Sequence, residues 1–84
     1  MQENKIELQK AIAKIIKQRR KYSINRICLE IGMSKSLWSV IEKGEKDINL
    51  STFWRIAEAL DIKPSELLSE IENELGSGFS FIED

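Results

Sequence analysis

Hydrophobic side chains recur along most of the chain at spacings of three and four residues, which is the period of an amphipathic α-helix. The first stripe predicts a helix from about Asn4 to Lys21, and its apolar members are Leu8, Ile12, Ile15 and Ile16. No alternating strand pattern of useful length occurs before residue 77. The pattern therefore predicts an all-α chain.

Capping residues and glycines divide the next part of the chain into two shorter helices. Ser23 and Ser34 can each accept a hydrogen bond from the free amides of a helix start, and Gly32 and Gly44 suit the left-handed residue that follows a helix end. These signals predict a second helix from Ser23 to Gly32 and a third from Lys35 to about Lys43. Their predicted core residues are Ile27, Cys28, Ile31, Trp38 and Ile41.

Two more helices follow. Asn49 can cap a fourth helix, Leu50 to Leu60, and Pro64 suits the first position of a fifth, which ends near Gly76. Their apolar stripes are Leu50, Phe53, Ile56, Ala57 and Leu60 in the fourth helix, and Leu67, Leu68, Ile71 and Leu75 in the fifth. We therefore predict a helical domain over residues 1–76 and a short C-terminal tail over residues 77–84.

Composition excludes several kinds of active site. The chain has 84 residues, which suits one small domain, and it contains no His and one Cys. A zinc site built from Cys and His and a nucleophile activated by His are thereby excluded, and no cofactor is predicted. No apolar run is long enough to span a membrane. We expect a cytoplasmic, non-enzymatic protein.

The charges are segregated along the sequence although the net charge is only −1. Residues 1–22 contain seven basic and two acidic side chains, whereas residues 47–84 contain two basic and nine acidic ones. A positive front half can meet a polyanion while the acidic rear faces away. The acidic run of the fifth helix is expected to be a solvated face, formed by Glu66, Glu70, Glu72 and Glu74.

The spacing of residues 23–44 is that of a helix-turn-helix motif. Two helices of about eight or nine residues flank the break Gly32-Met33-Ser34, and the small Cys28 lies where the helices cross. A short turn of this kind makes the first helix brace the second, which then projects as a ridge that fits the major groove of DNA.

The chain resembles the lambda-repressor-like, or Xre-type, helix-turn-helix family from about Ile12 to Leu68. The segments that carry the resemblance are Ile31-Gly32-Met33-Ser34, Val40-Ile41-Glu42-Lys43-Gly44 and Ile56-Ala57-Glu58-Ala59-Leu60. The resemblance implies a compact five-helix domain that binds double-stranded operator DNA, commonly as a two-fold dimer. A bacterial or phage-type regulator is the expected class.

The resemblance also assigns roles to individual residues. The third helix becomes the recognition helix, with Lys35, Ser36, Leu37, Ser39 and Val40 facing the bases. Phosphate contacts fall on Ser23, Asn25, Arg26, Lys43 and Lys46. Lys35 can bond guanine, the two serines discriminate little, and Leu37 and Val40 can meet thymine methyl groups. The family pairs a basic residue of the first helix with a Glu of the third, which here predicts a structural ion pair between Lys17 and Glu42.

Two departures from the family pattern weaken the implied base readout. The family usually has Gln where this chain has Ile24, and the recognition helix contains no Gln, Asn or Arg. An alternative is therefore a protein-interaction module on the same fold, such as an antitoxin-like partner that acts through its C-terminal tail. For the dimer of the first reading, the candidate interface residues are Trp54, Leu68, Ile71, Leu75, Phe79 and Phe81. The tail could equally fold back on its own domain or remain disordered.

Overall fold

The computed structural model describes residues 2–82 and contains five α-helices. They are α1 (Gln2–Arg19), α2 (Ile24–Ile31), α3 (Lys35–Glu42), α4 (Leu50–Ala59) and α5 (Pro64–Leu75). The predicted all-α architecture of five helices is confirmed for the described residues. None of the described helices is long and apolar enough to cross a membrane.

The helix starts are set by the side chains that the sequence singled out. Ser23 Oγ accepts from the Arg26 amide at 3.2 Å, and Ser34 Oγ accepts from the Leu37 amide at 3.1 Å. Asn49 Oδ1 accepts from the Thr52 amide at 2.8 Å. Because each cap satisfies an amide that a helix leaves free, the starts of α2, α3 and α4 follow from local chemistry.

The first helix is displaced by two residues from its predicted bounds at both ends. It begins at Gln2 and ends at Arg19, whereas the apolar stripe predicted Asn4 to Lys21. The Arg20 amide still bonds the Ile16 carbonyl at 2.9 Å, but the chain then turns toward the cap at Ser23. The start of α2 therefore limits how far α1 can extend.

The core lies where α1 packs against α3 and α5, α2 against α3 and α4, and α4 against α5. The largest fully buried side chains are Trp38, Ile16, Ile27, Ile41, Ile56, Leu67 and Ile71. The Cys28 side chain is also buried, as predicted. Burial raises the pKa of its thiol, while the nearby Lys35 charge lowers it by less.

Two apolar residues predicted to lie in the core are instead exposed. Leu50 is 71% exposed and Leu68 is 52% exposed. Leu50 lies at the edge of the buried stripe of α4. It is on the same side of the helix as Trp54, which follows one turn later and is also exposed. Leu68 lies about 100° around α5 from the buried Leu67. Both side chains therefore extend the outer face of their helices.

Gly44 marks a close approach between the chain after α3 and α1. Its φ is +74°, and a Cβ built on it would lie 3.2 Å from the Lys10 Cα. Gln9 Nε2 donates to the Gly44 carbonyl at 3.1 Å across the same contact. A side chain at this position would therefore strain the backbone and also press on α1.

The described part of the tail folds back toward α1. Asn4 Nδ2 donates to the Ser80 carbonyl at 2.7 Å, and the rings of Phe79 and Phe81 stack edge to face with centroids 5.5 Å apart. A tail that folds back on its own domain is one of the alternatives that the sequence leaves open. Residues 83 and 84 of the predicted tail lie outside the described residues.

Candidate nucleic-acid interface

The turn between α2 and α3 is built by local backbone bonds. Gly32 takes a left-handed conformation with φ 65°, and its amide bonds the Cys28 carbonyl. The Met33 amide bonds the same carbonyl at 3.1 Å, and the Met33 side chain is buried. Ser34 then starts α3. These bonds fix the direction in which α3 leaves the turn.

An arginine of α4 also holds this turn, and sequence reasoning missed it. Arg55 Nη2 donates to the Ile31 carbonyl at 2.6 Å and to the Gly32 carbonyl at 3.2 Å. Carbonyls at the end of a helix have no partner within the helix, so the guanidinium stabilises the end of α2. No local pattern signals a contact across 24 residues, although Arg55 is the one basic residue of α4.

The outer face of α3 contains the five residues predicted to face bases. Lys35 and Ser36 are exposed, while Leu37, Ser39 and Val40 are partly exposed. Leu37 also packs against the core, so less of its apolar surface is free than predicted. Trp38, which lies between these positions, and Ile41, which follows them, are buried and anchor the helix.

The residues predicted to contact phosphates are all exposed. They are Ser23, Asn25, Arg26, Lys43 and Lys46. A notch between α2 and α3 is lined by Asn25, Leu29 and Lys35, with Cys28 and Met33 beneath them. Asn25, which is predicted to contact a phosphate, and Lys35, which is predicted to read guanine, therefore line the same notch, one from each helix of the motif.

Glu42 forms its ion pair with Arg20, so the predicted partner Lys17 is wrong. Arg20 Nε donates to Glu42 Oε2 at 2.7 Å, and the Trp38 indole donates to the same oxygen at 2.5 Å. Glu42 is the one buried charged residue in the described part of the chain. Lys17 stays exposed one turn earlier on α1. The guanidinium of Arg20 also bonds the Tyr22 carbonyl, which fixes its direction.

The acidic face of α5 is solvated as expected at Glu66, Glu72 and Glu74, which are exposed, but it also forms ion pairs with α1. Arg19 makes a two-pronged bond to Glu70, with Glu66 at 3.9 Å, and Lys14 bonds Glu74 at 2.9 Å. The hydrogen bond and the charge of Glu70 raise the pKa of the Arg19 guanidinium. These contacts neutralise part of the positive charge that residues 1–22 carry.

Lysines of α1 and the lysine that follows α3 share a groove beside the ion pair of Glu42. Lys10, Lys14, Lys17 and Lys43 line it together with the buried Ala13. The groove extends the positive surface from Lys43 onto α1. The Cys, Asp and Glu side chains within residues 2–82 form no group of three that could hold a metal ion.

An apolar patch lies where α4 and α5 meet. Leu50, Trp54 and Leu68 are exposed and line one notch with Phe53 and Pro64. Trp54 and Leu68 were predicted interface residues, and their exposure leaves them available. Ile71 was predicted with them, but it is 1% exposed and lies one turn after Leu67 in the core stripe, so that prediction is wrong.

The other predicted interface residues lie at the far end of α5. Leu75 is partly buried against the core, and Phe79 and Phe81 stack on each other in the tail. Seven residues separate Leu68 from Leu75, which is about 10 Å along a helix. The structure thus separates the predicted interface residues into an α4–α5 patch and a tail cluster.

Comparison with known proteins gives two kinds of match. A family model described as a helix-turn-helix domain matches residues 9–74. The HTH-type transcriptional regulator SutR of Escherichia coli (strain K12) is 32% identical over 56 residues, which are 67% of this chain and 32% of SutR. Control protein C.MunI of Mycoplasma sp is 30% identical over 74 residues, which are 88% of this chain and 100% of C.MunI.

The chain spans about a third of SutR but matches C.MunI over its whole length. No solved structure matches the chain. The family match covers all of α2 to α4 and most of α1 and α5, including every contact that fixes the turn. The chain therefore belongs to the Xre-type helix-turn-helix family of DNA-binding transcriptional regulators.

Proposed function

We propose that the chain binds a palindromic operator as a homodimer, with α3 of each copy in the major groove. The observation that carries this proposal is the shared notch of Asn25 and Lys35. A group suited to a phosphate and a group suited to a base edge are contiguous there, as a helix-turn-helix reader requires.

Each part of the surface has a proposed task. Lys35 donates to guanine O6 and N7, and Ser36 and Ser39 make less selective bonds beside it. Ser23, Asn25 and Arg26 hold a backbone phosphate at the start of α2, where helix amides favour an anion. Lys43 and Lys46 hold a second phosphate beyond the end of α3. Leu37 and Val40 add apolar contacts within the groove.

The dimer is proposed to form through the α4–α5 patch of Leu50, Trp54 and Leu68. Exposed aromatic and aliphatic groups that are contiguous on a small domain mark interaction sites. A two-fold axis would place two copies of α3 on half-sites about 34 Å apart, which is one turn of DNA. The doubled contacts supply the affinity that one small module lacks.

The biological role that we propose is control of transcription in the cytoplasm of a bacterium or a phage-infected cell. The match to a control protein over the whole length of that relative favours a controller over a phage-type repressor. Regulation then depends on concentration and dimerisation rather than on a bound cofactor. No enzymatic activity is proposed.

Selection from a pool of random duplexes tests operator binding. Tight binders should share a palindrome and bind with nanomolar affinity, in the range of specific complexes of about 10⁻⁸ to 10⁻¹¹ M. Lys35→Gln should relax the preference at one base position of each half-site by about 1–3 kcal/mol. Binding no tighter than about 10⁻⁵ M to any selected duplex would contradict the proposal.

Replacement of Leu68 tests the dimer. Leu68→Glu should give a monomer in sedimentation equilibrium and should weaken operator binding much more than binding to a single half-site. Ile82→Glu is the matched control, because Ile82 is 82% exposed but lies in the tail. Dimerisation that survives Leu68→Glu and is lost in Ile82→Glu would move the interface to the tail.

A further inference from the structure

A cation rests on an aromatic ring immediately before α2. The Arg26 guanidinium lies 4.0 Å from the centroid of the Tyr22 ring. Arg26 belongs to the first turn of α2, and Tyr22 lies in the connection between α1 and α2, where it is 47% exposed. A guanidinium at this distance is attracted by the negative face of the ring. The stack therefore orders a long side chain that would otherwise move freely in solvent.

The backbone of Tyr22 is itself anchored to the buried face of α3. Arg20 Nη1 donates to the Tyr22 carbonyl at 3.0 Å, while Arg20 Nε donates to Glu42. The Trp38 indole donates to the same Glu42 oxygen. A continuous set of contacts thus runs from the core of the recognition helix to the backbone carbonyl of Tyr22. These contacts fix the backbone from which the ring under Arg26 extends.

We propose that Tyr22 is a positioning residue for DNA binding, whose ring holds Arg26 in place for a backbone phosphate. The inference rests on the proposed function, because it assigns a role within the same interface. A side chain that is ordered before binding loses less conformational freedom when it meets its ligand. The hydroxyl of Ser23 and the amides that start α2 lie at the same corner, so the phosphate would be held from several directions.

The ring, rather than the phenol hydroxyl, carries this role. Tyr22→Phe keeps the ring and should bind the selected operator like the original protein. Tyr22→Leu removes the ring and should weaken binding about two- to five-fold, the factor expected of an exposed cation–π contact. The loss should be equal on operator and on unrelated duplexes, since a phosphate contact is independent of sequence.

A double-mutant cycle with Arg26→Gln separates positioning from a general structural effect. In the Arg26→Gln background, Tyr22→Leu should cause no further loss, because the group that the ring positions is absent. Arg26→Gln should also make the decrease of log K with log salt shallower, by about 0.9 in the slope, which corresponds to the loss of one phosphate contact. Arg26→Lys leaves Tyr22 in place and retains the charge but not the planar stacking group. This variant should weaken DNA binding by a factor similar to that of Tyr22→Leu.

A second readout is independent of DNA. In the free protein, the Arg26 Nε proton should show an upfield ring-current shift by NMR that persists in Tyr22→Phe and disappears in Tyr22→Leu. Melting temperatures of the variants check that each one folds. These measurements test the stack even before an operator is known.

Three results would overturn the inference. The first is equal loss from Tyr22→Leu in the original and Arg26→Gln backgrounds, and the second is unchanged DNA binding by Tyr22→Leu. Either of these, with tight operator binding by the original protein, rejects the positioning role and leaves the proposed function intact. The third is the absence of specific DNA binding by the original protein, which rejects both.

Discussion

The two sides of this small domain use their basic residues differently. Where α1 packs against α5, Arg19 and Lys14 are bonded to Glu70 and Glu74. Around α3, Lys35, Lys43 and Lys46 are exposed, and no salt bridge between described residues engages them. Positive charge along the sequence therefore overstates what α1 can offer to a polyanion. The charge that is free to meet phosphate lies on the helix-turn-helix side and continues onto α1 only through lysines such as Lys10 and Lys17, which share the groove with Lys43.

The largest expected effect comes from the ion pair that joins the two sides. Glu42→Ala should lower the free energy of unfolding by about 3 kcal/mol or more, because it removes the charged partner of Arg20 and the acceptor of the buried Trp38 indole. Urea denaturation measures the change. Lys17→Ala is the matched control and should change stability little, since Lys17 is exposed. An unchanged melting temperature in Glu42→Ala would contradict the role of this pair.

Two glycines at helix ends should differ in their tolerance of a side chain. Gly32→Ala should cost about 1–2 kcal/mol from the left-handed backbone alone, because open space surrounds its position. Gly44→Ala should cost at least about 1 kcal/mol more, because its methyl group would also press on Lys10 of α1. Thermal unfolding of the two variants tests the difference. Equal losses would show that α1 yields at this contact.

Removal of a charge from the α1–α5 side should affect stability and not DNA binding. Glu70→Gln breaks the bond to Arg19 and should lower the melting temperature modestly at low salt, with a smaller effect at high salt. Glu72→Gln is the control, because Glu72 is exposed on the same helix. A large gain in DNA affinity for Glu70→Gln would show that Arg19 lies within reach of DNA and would break the comparison.

The smallest effect concerns the thiol beneath the notch. Burial raises the pKa of the Cys28 thiol, so folding favours the protonated thiol. The resulting contribution to the free energy of unfolding is present below the pKa of the thiol in the unfolded chain, and it is lost as the pH rises through the pKa in the folded protein. Stability should therefore decline slightly above about pH 9 in the original protein and less in Cys28→Ala. Reaction with a thiol reagent should be slow until the protein unfolds. Rapid modification of the folded protein would contradict the burial.

Local signals predicted the elements better than they predicted the contacts between them. The caps Ser23, Ser34 and Asn49 act within three residues, so their roles follow from the sequence. Arg55 acts across 24 residues and has no local signature. The sequence therefore located the motif and the exposed face of α3, while the residues that hold them in place emerged only from packing.

The partners of charged and apolar residues show the same limit. Lys17 lies in the last turn of α1 and Arg20 directly follows that helix, three residues later, so periodicity alone does not decide which one reaches Glu42. Ile71 and Leu68 belong to the same apolar stripe predicted for α5, and only the packing of α5 on α1 and α4 shows which of them is buried. A resemblance assigns roles by position, but a shift of less than one turn changes which side chain performs them.

The salt dependence of operator binding tests the contrast between the two sides most directly. Lys46→Gln should make the decrease of log K with log salt shallower, by about 0.9 in the slope, because it removes one phosphate contact. Lys14→Gln should leave the slope unchanged, because Glu74 already pairs with that charge. Equal reductions in the two variants would show that the paired Lys14 also meets the DNA backbone and would contradict the separation of free from paired charge.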